Sequence, residues 1–505
     1  MFRKILIANR SEIALRIIRT CKKLGVKTVA VYSEPDIESR HVLEADEAYN
    51  IGRGEPESSY LNIANIIKAA RKSGSEGVHP GYGFLAENPD FARACEESSI
   101  VFIGPSSRVL GQVANKLDSK RIVARAGIPV IPGSTQPVQS LETAELDAKK
   151  TGFPILVKAV FGGGGRGLRI VRDPKQLRNA LELAAAEAKT SFGREALYLE
   201  KYLEQPRHIE VQVLVGPRGR RVHLGERECS LQRRLQKILE ETPSPILTHA
   251  ARKRIISLAL KVARVTHYEN AGTMEFVRSK DGKFYYMETN KRIQVEHLIS
   301  EQVTGVDIVD EQMRIASGDG LNLSQDEISF SGAAINCRIN AEDPLHGFVP
   351  TPGCVTKFHS PGGPGVRVDS ALFEGCQIPE FYDSLIAKIA CYGRNREEAR
   401  ERARTALDET IIEGVKTTIP LHLMLLENKQ FIRGAYHTQL LDRLLGEWKP
   451  TGIMTRAEAA GIYFALKRSM TSSRQIPLKQ VNGTSRWRQL PQQNATRPSL
   501  YVEGV

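Results

Sequence analysis

Long apolar runs are missing from this 505-residue sequence, and so is any local membrane-targeting signal. No stretch approaches the roughly 18 uncharged apolar residues that a membrane-spanning helix needs. The apolar run near the N-terminus, residues 5–8, is too short for a secretory signal peptide and is typical of a first strand. We therefore expect a cytoplasmic protein with no membrane partner.

Paired cysteines are missing too. The chain has seven cysteines and no C-x-x-C pair; they stand at positions 21, 95, 229, 337, 354, 376 and 391. Most lie in apolar or strand-like surroundings. This pattern predicts reduced thiols in a cytosolic protein and argues against metal binding by thiolate groups.

The two best-known phosphate-binding loops are not present. Residues 4–9 and 26–32 predict strands flanking a helix, a βαβ unit that implies a parallel sheet. No G-x-G-x-x-G fingerprint follows the first strand, so dinucleotide binding is not supported. The glycine run 162–165 lacks the G-K-[S/T] of a Walker A loop.

That glycine run lies between two predicted strands, 153–160 and 168–171. Such a loop can fold over phosphates as a lid, with its N–H groups as donors. The alternative is a plain mobile hairpin loop. Four successive glycines carry a large ordering cost that ligand binding could offset, which favours the lid.

The chain carries a formal net charge of +13, and much of it is local. Residues 449–505 hold nine Lys or Arg against two Glu, a balance of +7. A basic chain is compatible with nucleic acid, an anionic substrate or an acidic partner protein. Because no nucleic-acid motif is present, nucleic acid ranks lowest.

The segment 272–296 carries the most specific pattern. Asp281-Gly282 favours a two-residue type I′ turn between two strands. That turn places Glu275 directly opposite Glu288. Like charges are unfavourable there unless a cation lies between them, and carboxylates suit Mg²⁺ or Mn²⁺.

Polar residues then alternate with a period of two along a chain predicted to be extended: Glu288, Asn290, Arg292, Gln294 and Glu296. A solvated strand face is the plain interpretation. Only one charge, Lys291, falls on the alternate face, which favours a functional edge. Residues 208–214 predict another strand with a polar face, and the dense charges of 226–237 are typical of solvated surface, with a polyanion site as the alternative.

Several motifs together resemble the biotin carboxylase family of the ATP-grasp ligases over roughly residues 1–447. They are 7–10 (IANR) with 12–14 (EIA), 79–85 (HPGYGFL), 162–167, 200–204 (EKYLE) with 206–208 (PRH), 292–297 (RIQVEH) and 337–342 (CRINAE). Long motifs in the family's order are far more specific than any one of them.

The resemblance implies an α/β (α+β) fold in three parts and a tail. These are an N-terminal α/β domain (1–114), an ATP-grasp domain (115–330) with a lid at about 131–203, a β-rich C-terminal domain (331–448), and a basic, partly disordered tail (449–505). The implied reaction is ATP-dependent carboxylation of biotin by bicarbonate through carboxyphosphate.

The resemblance also implies roles for individual residues. ATP would be held by Lys116, Lys158, Gly163, Gly164, Gly165, Glu200, Lys201, Leu203, His208 and Gln232. Mg²⁺ or Mn²⁺ would be held by Glu275, Glu288 and Asn290, and bicarbonate by Lys237, Arg292, Gln294 and the Val295 amide. Glu296 would be the general base, and Arg338 would stabilise the biotin enolate.

Four positions depart from the family pattern. Ser11 replaces a glycine, Leu235 a histidine near the nucleotide, Lys291 a small polar residue, and Leu298 a proline. They leave open a catalytically weakened, ATP-binding regulatory paralogue. Another ATP-grasp ligase is the third hypothesis, which the 292–296 run and Arg338 disfavour.

No biotinyl attachment motif (Met-Lys-Met) and no transcarboxylase domain is found in the sequence. We therefore expect biotin on a separate carrier protein and the carboxyltransferase on a separate subunit; the resemblance alone implies a homodimer. Residues 413–420 and the extension past 450 resemble the A subunit of a split pyruvate carboxylase more than a component of acetyl-CoA carboxylase.

Overall fold

The N-terminal part of the chain forms a parallel sheet, as the βαβ pattern predicts. The structure, a computed structural model, describes residues 1–112, 116–160, 168–193 and 195–448, without the side chains of 116, 191 and 192. The first elements are β1 (Lys4–Ile7), α1 (Ser11–Leu24), β2 (Lys27–Ser33), α2 (Arg40–Glu44), β3 (Glu47–Gly52), α3 (Ile63–Ser73), β4 (Gly77–His79), α4 (Pro89–Glu97), β5 (Val101–Phe102) and α5 (Ser107–Gln112). The strand order is β3-β2-β1-β4-β5, and all four pairings are parallel.

Helix α1 ends where local chemistry dictates. Gly25 follows its last residue with φ 70°, the left-handed conformation that glycine adopts without steric cost. The buried face of α1, including Ile13 and Ile17, shares one core cluster with Ile293 from the segment after the central hairpin. The helix therefore ties the N-terminal sheet to the region of the candidate site.

The next part of the chain contains a small antiparallel sheet and three helices. Its elements are α6 (Lys116–Arg125), α7 (Leu141–Thr151), β6 (Ile155–Ala159), β7 (Arg169–Val171), α8 (Leu177–Phe192) and β8 (Leu197–Lys201). The strand order is β7-β6-β8, with β6 carrying Lys158 in the centre. The predicted glycine lid, including Gly163, Gly164 and Gly165, lies outside the described residues.

The largest sheet has eight antiparallel strands in the order β13-β12-β9-β10-β11-β14-β21-β19. Its first elements are β9 (Arg207–Val215), β10 (Arg221–Arg233), β11 (Gln236–Thr242), α9 (His249–Val265), β12 (Asn270–Arg278), β13 (Phe284–Asn290), α10 (His297–Thr304) and α11 (Ile308–Ala316).

The same sheet continues into the C-terminal part. The remaining elements are β14 (Ala333–Asn340), β15 (Glu342–Asp343), β16 (Val349–Pro350), β17 (Gly353–Cys354), β18 (Lys357–His359), β19 (Val366–Ser370), β20 (Gln377–Ile378), β21 (Leu385–Gly393), α12 (Arg396–Glu409), β22 (Ile411–Glu413), α13 (Ile419–Glu427), α14 (Lys429–Ile432) and α15 (Leu440–Glu447). The basic tail, 449–505, lies outside the described residues, so its predicted disorder stays a prediction.

The charged run at 226–237 is buried in its first part and reaches the surface at residues 234–236. Residues Glu226 to Gln232 are buried, because β10 lies in the middle of the eight-stranded sheet between β9 and β11. Charged side chains are kept inside a protein only when they are paired. The plain interpretation is therefore wrong for residues 226–232, whose charges belong to a buried polar network, and right for the exposed residues 234–236.

Two further expectations are tested by the described residues. All seven cysteines lie within them as free thiols, five of them buried, which confirms the prediction of reduced core cysteines. Among the residues that the structure describes, no helix is long and apolar enough to cross a bilayer.

Candidate active site

The central hairpin differs from the predicted one in its turn and agrees with it in the pairing of the two glutamates. Strands β12 and β13 are joined by residues 279–283, and of Asp281 and Gly282 only the glycine has a positive φ (85°). The two-residue type I′ turn is wrong, because it needs positive φ at both positions. A register shift directly after Glu275 compensates for the longer loop, so Glu275 still pairs with Glu288.

The polar alternation beyond β13 does not continue in an extended chain. Strand β13 ends at Asn290, and Glu296 is the N-cap of helix α10. The prediction of one extended polar edge up to Glu296 is therefore wrong. The turn into α10 nevertheless aims two of these side chains at one cation, since Lys237 Nζ donates to Gln294 Oε1 (3.1 Å) and Glu296 Oε1 (2.8 Å).

Three carboxylates lie side by side across three neighbouring strands. Glu275 on β12 pairs with Glu288 on β13 and, on its other side, with Glu210 on β9. Arg227 on β10 is the next residue in this row, opposite Glu210. Such a row of like charges is stable only if cations neutralise it.

Lys237 supplies much of that neutralisation. Its Nζ lies 2.5 Å from Glu210 Oε2, 2.8 Å from Glu275 Oε1 and 2.8 Å from Glu296 Oε1. Burial alone would lower the pKa of the Lys237 ammonium, but Glu210, Glu275 and Glu296 together raise it well above its usual value. Lys237 is thus a permanent cation at the centre of the cluster.

Glu296 joins Lys237 to Arg338. The Arg338 guanidinium donates through Nη2 to Glu296 Oε2 (2.9 Å) and through Nε to Glu240 Oε1 (2.5 Å). Burial opposes ionisation of Glu296, but Lys237, Arg338 and Arg227 outweigh it and hold the pKa of this carboxyl far below its ordinary range. A buried, ionised carboxylate held between two cations can take a proton once one of them is drawn away.

Four residues of this network, Glu210, Arg227, Glu240 and Asn336, are not among the predicted site residues. Arg227 is fully buried and donates to Glu210 Oε1 (2.6 Å), and Asn336 Nδ2 donates to Glu240 Oε2 (2.8 Å). A signal for Glu210 exists in the polar face of 208–214. Arg227 lies in the charged run 226–237, for which a polyanion site is the alternative interpretation, whereas Glu240 has no such signal.

His208 and Gln232 lie next to Glu275, one of the predicted metal ligands. His208 Nε2 is 3.1 Å from Glu275 Oε2, and Gln232 Nε2 is 2.7 Å from His208 Nδ1. Burial would raise the pKa of Glu275, but Lys237 and His208 hold it well below its usual value. Asn290 Nδ2 and Gln294 Nε2 both donate to Glu275 Oε1, at 2.6 and 2.9 Å.

The predicted adenine and phosphate side chains meet on the small sheet. Lys158 Nζ is 3.1 Å from Glu200 Oε2, and Lys120 on α6 forms an ion pair with the other oxygen of Glu200. Lys201 instead donates to the backbone carbonyls of 152 and 153, both at 2.9 Å. Lys120 therefore joins the predicted pair, while the Lys201 side chain serves the loop beside it.

The remaining predicted residues take separate positions. Arg292 donates to Asn290 Oδ1 (3.2 Å) and lies 3.4 Å from Glu87. The Val295 amide has no hydrogen-bond acceptor among the described residues, and Leu203 is half-buried beyond β8. Lys116 begins helix α6, and its side chain lies outside the described part of the chain.

The donor set fits Mg²⁺ or Mn²⁺. Glu275 and Glu288 face each other in register, and Asn290 adds an amide oxygen two residues further along β13. All are hard oxygen donors. Among the described residues, the tightest three-ligand groups are His208 with Glu210 and Glu275, and Glu210 with Cys229 and Glu296; neither includes Glu288. The fit therefore rests on the paired carboxylates and the amide.

The four departures are accommodated locally. Ser11 has φ 57° and Leu235 has φ 67°, two left-handed positions at which a β-carbon is costly. Leu298 is fully buried in the first turn of α10, where a proline would also fit. The Lys291 amide donates to Glu87 Oε1 (2.8 Å). None of the four displaces the Lys237–Glu296–Arg338 contacts.

Family models match nearly the whole described chain, in order. Residues 1–110 match "Biotin carboxylase, N-terminal domain", residues 115–324 "Carbamoyl-phosphate synthase L chain, ATP binding domain", and residues 336–443 "Biotin carboxylase C-terminal domain". The matched order is that of an N-terminal part, an ATP-binding part and a C-terminal part.

Curated relatives are similar over most of their length. The A subunit of pyruvate carboxylase from Methanothermobacter thermautotrophicus is 50% identical over 442 residues, 88% of this chain and 90% of that protein. Biotin carboxylase 1 of Bacillus subtilis is 48% identical over 443 residues, 88% of this chain and 98% of that protein.

Solved structures agree with these relatives. The biotin carboxylase domain dimer of Hydrogenobacter thermophilus 2-oxoglutarate carboxylase, in complex with MgADP, ADP and bicarbonate, has a TM-score of 0.87 at 48% identity, covering 89% of this chain and all of that one. Biotin carboxylase from Campylobacter jejuni, in a β-γ-ATP complex, has a TM-score of 0.86 at 44% identity, covering 88% and 99%.

Proposed function

This chain belongs to the biotin carboxylase family, and from that premise we propose that it carboxylates biotin with bicarbonate and ATP, through carboxyphosphate. The observation that carries the proposal is the position of Glu296, a buried carboxylate 2.8 Å from Lys237 and 2.9 Å from Arg338. Lys237 can bind bicarbonate and Arg338 can serve biotin, with the base Glu296 between them.

Bicarbonate binds where Lys237, Arg292, Gln294 and the Val295 amide can surround it. A planar guanidinium matches a planar oxyanion in two parallel hydrogen bonds. The bound anion competes with Glu296 for Lys237. The pKa of Glu296 therefore rises when bicarbonate binds, and the carboxylate becomes a base strong enough to take the bicarbonate proton.

ATP lies between the small sheet and the large one. Lys158 and Lys116 hold phosphates, Glu200, Lys201 and Leu203 meet the adenine, and His208 and Gln232 lie by the ribose or phosphates. Glu275, Glu288 and Asn290 would hold magnesium, which would neutralise charge on the phosphates.

The deprotonated bicarbonate oxygen attacks the γ-phosphorus, and the bond to the ADP oxygen breaks. The product, carboxyphosphate, divides into CO₂ and phosphate. That phosphate takes the proton from biotin N1′, and Arg338 stabilises the negative charge that develops on the biotin ureido oxygen. N1′ then attacks CO₂, which gives carboxybiotin.

We place biotin on a separate carrier protein, and we expect a carboxyltransferase and a second copy of this chain as further partners. Support comes from relatives that are named as subunits: this chain covers 90% of the A subunit of a pyruvate carboxylase and 93% of the small subunit of a 2-oxoglutarate carboxylase. Because these relatives serve different acceptors, the final acyl acceptor is set by the transferase partner.

The test is ATP turnover by the full chain with Mg²⁺ and bicarbonate, with and without free biotin. We expect ADP release that needs bicarbonate and rises with biotin, and that is lost in Glu296→Ala. Glu97→Ala removes an exposed glutamate on α4 and is expected to leave the rate unchanged. ATP binding without turnover in the unaltered chain would overturn the proposal in favour of a regulatory role.

A further inference from the structure

A cleft of about 880 Å³ opens between the edge of the N-terminal sheet and the far end of the large sheet. It is bounded by β5, by the turn between β9 and β10, and by the segment after α9. We call it the basic cleft. None of the side chains assigned above to ATP, metal, bicarbonate or biotin lines it.

The charges in the basic cleft are unbalanced. Arg218, Arg221 and Arg264 line it and form no ion pair or hydrogen bond with any described side chain. Its acids are already engaged: Glu269 accepts from the Ser106 amide (3.0 Å) and lies 3.4 Å from Arg108, also on the rim. The lining therefore offers several guanidinium groups to an anion.

One wall of the basic cleft is apolar. It is built by Ile100, Phe102, Val215, Ala263 and Ile315. A site with an apolar wall and a few convergent polar groups is the usual form of a small-molecule pocket, and the volume lies within the usual range of roughly 300–1,000 Å³. A flat, fully charged surface, as nucleic acid prefers, would have no such wall.

Left-handed backbone conformations concentrate here. Ten non-glycine residues of the described chain have positive φ, and four of them line the basic cleft: Ser99 (56°), Arg218 (58°), His267 (48°) and Asn270 (64°). The conformation is costly for Ser99 and Arg218, whereas histidine and asparagine adopt it more readily, and strained positions cluster at ligand-binding sites. At Arg218 the conformation belongs to the turn that presents the guanidinium.

Tyr268 connects the basic cleft with the candidate active site. Tyr268 lines the cleft, and its hydroxyl donates to the Ala271 carbonyl (2.9 Å) and lies 3.4 Å from the Asn290 carbonyl. A β-carbon at Gly272 would lie 2.2 Å from that hydroxyl oxygen, so the glycine makes room for the ring. The cleft is thus a separate pocket behind strand β13.

From the charge, the apolar wall and the volume, we propose that the basic cleft binds a small phosphate-bearing ligand with an apolar ring, at a site distinct from that of ATP. The guanidinium groups take the phosphate by forked hydrogen bonds, and the wall takes the ring. This inference does not depend on catalysis, so it stands or falls separately from the proposed function.

The test is calorimetric titration of the full chain with 1-naphthyl phosphate in saturating MgADP, which fills the nucleotide site. We expect one further site. Removing both charges in Arg218→Gln/Arg264→Gln should weaken it at least about tenfold, because charge-assisted hydrogen bonds are lost. Inorganic phosphate and 1-naphthol should each bind more weakly than the complete probe.

The matched control is Arg53→Gln/Arg254→Gln, which removes two exposed arginines elsewhere and changes the net charge equally. It should bind the probe within about twofold of the unaltered chain. Equal unfolding temperatures for both variants establish that both fold. No further site in the unaltered chain, or equal weakening by both pairs of substitutions, would overturn the proposal.

Discussion

His297 offers a sharp test of how the general base is positioned. It follows Glu296 directly, is fully buried, and its Nδ1 lies 2.7 Å from the Gln294 carbonyl oxygen. Burial, together with Lys388 and other nearby cations, lowers the pKa of His297 well below its usual value, so the ring is neutral. A carbonyl can only accept, so Nδ1 carries the proton and donates.

This bond holds the turn that presents Gln294 and Glu296 to Lys237. The same Gln294 carbonyl also accepts from the His297 amide (3.2 Å), so one oxygen is fixed twice. Losing the ring bond costs about 1–3 kcal/mol of local order, as for other buried hydrogen bonds. A displacement of the base of about 1 Å can cost roughly a hundredfold in rate.

We therefore expect two conservative substitutions to differ. His297→Asn places an amide N–H where Nδ1 lies and should retain most of the biotin-stimulated ATP turnover. His297→Gln places it where Nε2 lies and should lower kcat about 10- to 100-fold and raise the KM for bicarbonate, while ATP affinity stays within about twofold.

The assay is steady-state ADP release at varied bicarbonate, with the unfolding midpoint of each variant measured in parallel. A purely structural role would lower stability and activity together in both variants. If Asn and Gln lose kcat equally at equal stability, or if neither loses any, the positioning argument is refuted.

The remaining predictions concern activity, stability and pH. Arg338→Lys replaces the guanidinium, which donates to both Glu240 and Glu296, by a single ammonium. This substitution should abolish the stimulation of ADP release by biotin while leaving bicarbonate-dependent ADP release. Equal loss of both rates would contradict the role assigned to Arg338. Lys388→Met leaves Glu12, 2.8 Å away and buried, without its cation, so urea unfolding should show a loss of about 3–5 kcal/mol that Glu12→Gln/Lys388→Met largely restores. Leu235→Asn should gain about 1 kcal/mol in urea unfolding, because asparagine tolerates φ 67°, and Leu235→Ala, which keeps the steric cost, should show no gain. Burial lowers the pKa of His41 from 6.5 to about 4, so the unfolded chain binds the extra proton first and stability should fall by about 3 kcal/mol as pH drops from 6.5 to 4; His41→Gln should flatten that part of the curve, and an unchanged slope would contradict the assignment.

Local elements are readable from the sequence because their causes lie within a few residues. Helix α1 ends at Gly25 by a left-handed cap, and the alternation of strands and helices in the first hundred residues gives a parallel sheet. The pairing of Glu275 with Glu288 is predicted although the turn is wrong, because a bulge after Glu275 adds the residue that the longer loop requires.

The family's motifs carry much of the candidate site, since its chemistry needs the same residue types in the same order. Glu296 and Arg338 lie in those motifs, the hairpin pairing points to Glu275, and the family resemblance implies Lys237; the structure brings all four into one buried network. What each of them contacts is not in the motifs.

Tertiary structure alone decided which charges are buried and what neutralises them. Composition marks 226–237 as solvated, yet Arg227 is fully buried because β10 lies inside an eight-stranded sheet. Glu210, Glu240 and Lys120 enter the site through pairings between residues that are far apart in sequence. A carboxylate's pKa and a cation's partner depend on distances of a few ångströms, and only the register of neighbouring strands sets those distances.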